Sequence, residues 1–363
     1  MKSRLLLRLE AEIKACKDPL EVDCLRAERA CYLARIGEVD EATAVVADLH
    51  RRYGHRQAAI AVWSSLVEAM VSHFSDMGPL AHDRIRRAHA LSTATGLTRL
   101  QALSAAWLAH MCYSRLDIAG LARYVGLALA LSRPAEDDCR ARVCLVVAQA
   151  FHLAGRLDLA IEWYVRTKDH ANRIGDDATL SALIHNQAWL RMSDLRQVTL
   201  TGSGSPSCVR HALMGVESVM SFDRLVGSTS LADLQPILRA QVLSLQGHPK
   251  EALALYKAYL LPARKQGAGR LMANLIADVA WCRCELGCID EGRTDALLAV
   301  DSFTTDTQID DRAAAHSRLA QVFNRLGEVE SAAHHKRCAS EAWAKHISLQ
   351  AEILTALTDI VDR

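Results

Sequence analysis

Glutamine is the residue type whose recurrence in this chain first suggests chemistry. Gln149, Gln187, Gln241 and Gln321 stand at one offset, six positions before short turn-like segments, and the same offset carries Cys31, Leu108 and Trp281. A side-chain amide offers one acceptor and two donors, so it pairs with both the N–H and the C=O of another backbone. Amides repeated at equal intervals would hold an extended peptide without reading its side chains. Three positions on lie His152, Ser244 and Asn324, with Arg35, Arg191 and Arg325 beside them. An arginine adds a contact to a carboxylate, and Trp281 an apolar anchor. The expected site is one continuous concave surface lined by Gln149, His152, Gln187, Arg191, Gln241, Ser244, Trp281, Gln321, Asn324 and Arg325, with its glutamines open to solvent. Glutamine is also a good helix former, so the same ladder reads equally as a solvated helix face.

Other chemical candidates are weaker. TGSGSPS from Thr201 lacks the Gly-Lys-Ser/Thr ending of a phosphate-cradling loop and follows no strand-like run. Cys282, Cys284 and Cys288, with His334 and His335 later in the chain, include metal-ligand types, yet Cys282 points about 200° around a helix from Cys284. Buried thiols and surface histidines are the preferred reading. Neither a Gly-x-Ser-x-Gly nor a His-Glu-x-x-His segment occurs, and no triad can be placed, so neither an enzyme nor a bound cofactor or metal is expected. The tryptophans Trp63, Trp107, Trp163, Trp189 and Trp343 lie at apolar helical positions and read as packing.

Composition limits the partners. The 363 residues are 50% hydrophobic and 5% aromatic, with 43 Lys plus Arg against 42 Asp plus Glu. A net charge of +1 gives no overall reason to hold nucleic acid or an anionic membrane. The apolar run at the N-terminus, Leu5 to Leu7, is too short for a signal peptide, and stretches such as Leu103 to Cys112 fall short of the roughly 20 residues that cross a bilayer. Eleven scattered cysteines, an odd number, read as reduced thiols of a cytoplasmic protein.

The elements that would position the glutamines come from an internal repeat. GEVDEA from Gly37, SRLDIA from Ser114, GRLDLA from Gly155, GHPKEA from Gly247, GCIDEG from Gly287 and GEVESA from Gly327 are spaced by 77, 41, 92, 40 and 40 residues. Hidden turns near Gly78-Pro79 and Ser193-Asp194 would divide the two long gaps. Seven residues upstream of five of these turns stand Ala30, Ala148, Ala240, Ala280 and Ala320, with Trp107 the exception. Leu33, Phe151, Leu243 and Phe323 follow three positions later, on the same helical face. Downstream, Ala42, Ala119, Ala160, Ala252, Gly292 and Ala332 begin a second helix. Each unit is thus a helical hairpin. Pro262, inside one second helix, should kink or break it near Leu261.

This pattern resembles the tetratricopeptide repeat. The best match is CLVVAQAFHLAGRLDLAIEWYVRT from Cys144, where Ala148, Phe151, Gly155, Ala160 and Tyr164 fall on the family's small and large positions. The period near 40 exceeds the family's standard of about 34. Longer units resemble those of bacterial peptide-pheromone-responsive and maltose-activator-like regulators. The resemblance implies an all-α, right-handed α-solenoid of about eight to nine hairpins. The expected organisation is a capping helix in 1–19, the superhelix in 20–341 with a loop insertion at 199–208, and a capping or dimerisation helix in 342–363. Ile347, Ile353, Leu354, Leu357 and Ile360 give that last helix an apolar stripe suited to a homodimer. Two functions compete: a non-catalytic cytoplasmic scaffold or sensor for a protein or extended peptide, and the receptor half of a signalling or transcription regulator whose DNA-binding or cyclase effector is on another chain or absent.

Overall fold

The computed structural model of the chain describes residues 3–54, 56–78, 80–202, 217–230 and 232–361, and every regular element among them is helical. In chain order these are α1 (Arg4–Ala15), α2 (Pro19–Ile36), α3 (Val39–Tyr53), α4 (Ala58–Asp76), α5 (Leu80–Ala94), α6 (Thr98–Ser114), α7 (Ile118–Leu131), α8 (Asp137–Leu153), α9 (Leu157–Ile174) and α10 (Asp177–Thr201). Then come α11 over 217–226, α12 (Leu234–Leu245), α13 (Pro249–Lys265), α14 (Met272–Glu285), α15 (Ile289–Asp301), α16 (Ile309–Arg325) and α17 (Val329–Val361).

The hairpins reverse at single left-handed residues. Gly37, Gly155, Gly247, Gly287 and Gly327 take φ between 75° and 99°, a conformation that costs a residue with a Cβ about 1–2 kcal/mol. Each is followed by an N–H that reaches back five residues to a helix carbonyl, as from Glu38 to Leu33 and from Arg156 to Phe151, both at 2.9 Å. Orphan carbonyls of the first helix are thereby satisfied. Met77 and Leu116 hold equivalent places with φ of 53° and 56°. The repeat therefore runs through positions 37, 77, 116 and 155, a spacing of 39 or 40.

Leu116 corrects the register read from SRLDIA. Counting from Leu116, the small upstream position falls on Ala109, which is fully buried, and Trp107 ceases to be an exception. Ala119, expected near the start of a second helix, lies in the first turn of α7 and is exposed. Ala30, Ala148, Ala240 and Ala280 are fully buried, as are Ala42, Ala160 and Ala252, whereas Ala320 is only half-buried. Gly292 has no room for a side chain, since a Cβ there would stand 2.5 Å from the Cys284 Sγ.

Contacts divide the chain into two compact units. One comprises Met1–Ile184, Ser221–Ser230 and Ala351–Arg363, and the other His185–Met220 and Leu231–Gln350. In the first, α2 packs on α3 and α4, α6 on α7 and α8, and α8 on α9. Its N-terminal helix is fastened by the Leu5 N–H and the Ser3 hydroxyl, which both donate to the Gly175 carbonyl, at 3.1 and 3.3 Å. The segment 221–230 returns to the same unit, with the Thr229 N–H donating to the Ile36 carbonyl at 3.0 Å. In the second unit α14 packs on α12, α15 and α16.

Several expectations are overturned. Ser193 and Asp194 lie inside α10, which is continuous for 25 residues. Neither glycine nor proline is present in it to stop the helix. Of the loop expected at 199–208, residues 199–201 are helical and 203–208 lie outside the described residues. Pro262 does not end α13, which continues to Lys265. Only three residues follow it, so the missing N–H disturbs only the last turn. No helix begins at Ala342, because α17 runs unbroken over 33 residues. Its apolar stripe is covered by the chain itself: Ile353 and Leu357 are fully buried, and Ile360 lies against Gly126, leaving Ile347 exposed. That burial removes the surface on which the homodimer was drawn. Finally, Ala58–Ser75 of α4 is long and apolar enough by composition to cross a membrane. Ile60, Val62, Trp63, Leu66, Val67 and Met70 of that stretch are core residues of the first unit.

Candidate functional site

In the first unit the first helices of four successive hairpins face one cavity of about 60 Å³. Glu28, Cys31 and Arg35 come from α2, Trp63 and Met70 from α4, Trp107 from α6 and Arg142 from α8. Leu5 and Arg8 of α1, Ile174 at the end of α9, and Asp176 and Thr179 at the start of α10 complete the wall. Trp107 and Arg142 stand nine and thirteen residues before their left-handed turns, so each projects from the helix one or two turns further back than the glutamine offset.

Charges in this cavity are mostly matched. Arg35 donates to both oxygens of Asp176, at 3.0 Å each, and to the Thr179 hydroxyl at 2.6 Å. Burial alone would raise the Asp176 carboxyl, but the Arg35 guanidinium and the Thr179 N–H hold it below its ordinary range. Arg99 bridges Glu28 and Asp138 at 3.1 and 2.8 Å. Arg142 is different. Its guanidinium carbon stands over the Trp107 ring, 3.8 Å from the centroid, and its Nε and Nη2 are buried without a hydrogen-bond acceptor. Burial, then the neighbouring Arg35, pushes its pKa down to about 9.

The second unit lines its first helices with a buried polar network. Asp278 of α14 accepts from the Arg318 Nε of α16 at 2.8 Å and from the Tyr256 hydroxyl of α13 at 3.2 Å. Burial raises the Tyr256 hydroxyl well above its ordinary value, so it remains a donor. Arg318 also donates to the Gln321 Oε1 at 2.8 Å and stands over the Trp281 ring at 5.1 Å. Asp311 accepts from Arg196 and Asn274, at 3.0 and 3.3 Å, and burial raises its carboxyl to about 6.

The predicted residues divide between the units and between surface and interior. Gln149 and Gln241, expected to be accessible, are 4% and 1% exposed. His152 and Ser244 are buried with them, the His152 ring bonded to the Tyr164 hydroxyl at 3.1 Å and Ser244 beside the Cys282 thiol at 3.6 Å. Their offset faces the second helix or the neighbouring hairpin, because the large residues beside them require close packing there. Gln187, Trp281 and Gln321 are half-buried, and Arg191, Asn324 and Arg325 are exposed. Arg325 pairs with Glu285 at 3.0 Å. Gln187 was counted from a turn that α10 does not contain. Arg142, Trp107 and the Asp278–Arg318 pair were missed; a search at nine and thirteen residues before the glycine turns would have found Arg142, Asp278 and Arg318, whereas Trp107 falls at nine only once the turn is placed at Leu116. Cys282 and Cys284 are buried thiols.

Helical hairpins repeated every 39 or 40 residues around such lined first helices define a TPR-like helical-repeat protein. The fold is similar to that of a solved Rap protein in complex with competence and sporulation factor, with a TM-score of 0.58 over 91% of this chain and 99% of that one, at 11% identity. No protein-family model matches the chain, and no curated protein does.

Proposed function

We infer that this chain binds a protein segment or an extended peptide along its first helices and acts without catalysis, as a cytoplasmic scaffold or sensor. The observation that carries this reading is the shared cavity, to which α2, α4, α6 and α8 all contribute. A ligand lying there touches successive hairpins at once, which is how a repeat fold gathers affinity from small contacts. Second helices line a separate cavity of about 540 Å³, through Arg86, Arg87 and His89 of α5 and Arg123 and Tyr124 of α7, which gathers fewer hairpins. The amide ladder plays a smaller part than its spacing suggested, since Gln149 and Gln241 are buried. Gln187, Arg191, Trp281, Gln321, Asn324 and Arg325 are reachable in the second unit.

The likeness to a Rap protein solved with competence and sporulation factor supports a sensing role. The same lining suits the receptor half of a signalling or transcription regulator whose effector is on another chain. A random peptide display library selected on the full chain, followed by hydrogen exchange of the complex, tests the reading. Selected peptides should slow exchange in α2, α6 and α8 and leave α3 and α7 unchanged. Failure to select any peptide of micromolar affinity, or equal protection of the second helices, would contradict it.

A further inference from the structure

A guanidinium carries five N–H donors, and its burial without an acceptor is costly. Arg142 is 4% exposed, its Nε and Nη2 meet no acceptor, and its guanidinium carbon stands 3.8 Å from the Trp107 centroid. Stacking on an indole satisfies the face of the cation and leaves its N–H edge unserved. The acidic groups nearby are committed elsewhere: Asp176 to Arg35, and Glu28 and Asp138 to Arg99. Arg8, the half-exposed cation on the same wall, lies 3.4 Å from Glu12. Among the described residues lining this cavity, Arg142 is thus the cation that forms no ion pair of its own, the nearby Asp176 being bonded to Arg35.

Size and shape then select the ligand. The cavity, of about 60 Å³, suits a small planar group. An arginine edge matches a carboxylate through two parallel N–H···O bonds. We propose that the cavity between α2, α4, α6 and α8 is a carboxylate site, in which the Arg142 guanidinium pairs with the anion beside the Trp107 ring. The carboxylate belongs either to a bound peptide or to a free small organic acid. The first source rests on the peptide-binding reading above; the second does not.

Sodium acetate is the probe, titrated against sodium chloride at matched ionic strength on the full chain. Acetate is expected to raise the Tm by about 2 °C or more beyond chloride at saturation. Arg142→Met should lose this response, with half-saturation moved at least tenfold, and should be at least as stable as the parent without acetate because an unpaired buried charge is gone. Arg142→Lys, which keeps the charge and loses the planar fork, should weaken the response severalfold. No acetate effect in the parent, or an undiminished one in Arg142→Met, overturns the site. A purely structural Arg142 would instead show Arg142→Met less stable and the parent indifferent to acetate. Library-selected peptides are then compared as free acids and as amides. Preference for the acid, lost in Arg142→Met, assigns the carboxylate to the peptide. An acetate response without peptide binding assigns it to a small acid and removes only the peptide reading. Peptides that bind equally in both forms, with no acetate response, remove only the carboxylate site.

Discussion

Arg35 and Asp176, 141 positions apart in the chain, meet through two parallel hydrogen bonds of 3.0 Å. The same carboxylate accepts the Thr179 N–H at 2.9 Å and so caps α10, which ties the end of α2 to the start of α10 within the first unit. One wall of the carboxylate cavity is fixed by this pair.

Both partners are buried, so removing one leaves the other uncompensated. Arg35→Met and Asp176→Asn are each expected to lower the unfolding free energy by about 3–5 kcal/mol in urea titrations. The double variant should lose clearly less than the sum. Additive losses would mean that the two residues act separately.

Alanines at the hairpin crossings should respond according to burial rather than to their shared offset. Ala148, fully buried, leaves no room, and Ala148→Leu should cost about 1–3 kcal/mol through overpacking. Ala320 is half-buried, and Ala320→Leu should stay within about 0.5 kcal/mol of the parent. Equal thermal shifts in the two variants would contradict this assignment.

Gly175 combines a left-handed φ of 73° with a close approach by α1: a Cβ there would stand 2.6 Å from the Arg4 Cβ and 3.0 Å from the Leu5 nitrogen. Gly175→Ala should therefore release α1 as well as strain the turn, at a cost of about 1–2 kcal/mol or more. Faster hydrogen exchange confined to Arg4–Ala15 and the ends of α9 and α10 is the expected signature.

His316 and His335 face each other through their Nδ1 atoms at 2.9 Å, stacked between Phe303 and Phe323. One nitrogen must donate and the other accept, so two protonated rings cannot keep the bond. Burial first, and the neighbouring histidine and other cations next, push the pKa of His316 down to about 4, and burial with His334 does the same for His335. A folded-state pKa below the unfolded value near 6.5 gives stability that is present above pH 6.5 and lost as the pH falls toward 4. The loss between pH 7 and pH 5 should be on the order of 2 kcal/mol, and His335→Leu should flatten that stretch of the stability profile. An unchanged slope would remove the pair from the acid response, leaving it to groups such as His185, whose burial also lowers its pKa to about 4.

The amino-acid sequence by itself determined the helical hairpins, their period and the small residues between them. These are local signals: a glycine that turns left-handed at no steric cost, an apolar face repeating every three or four positions, and alanines where two helices must approach. The same locality explains the slips. Leu116 performs a glycine's turn without being a glycine, which displaced one register by two residues, and α10 continues through Ser193 and Asp194 because nothing there breaks a helix. Tertiary structure alone decided which helix positions face a cavity and which face a neighbouring helix. Gln149 and Arg142 lie seven residues apart on α8, and both are buried, yet only Arg142 lines the shared cavity. That difference arises from α1, α2, α4, α6 and the start of α10 converging from distant parts of the chain, and no spacing within α8 records it. Arg142 is left without an acceptor for the same reason: its would-be partners are claimed by Arg35 and Arg99 from other helices.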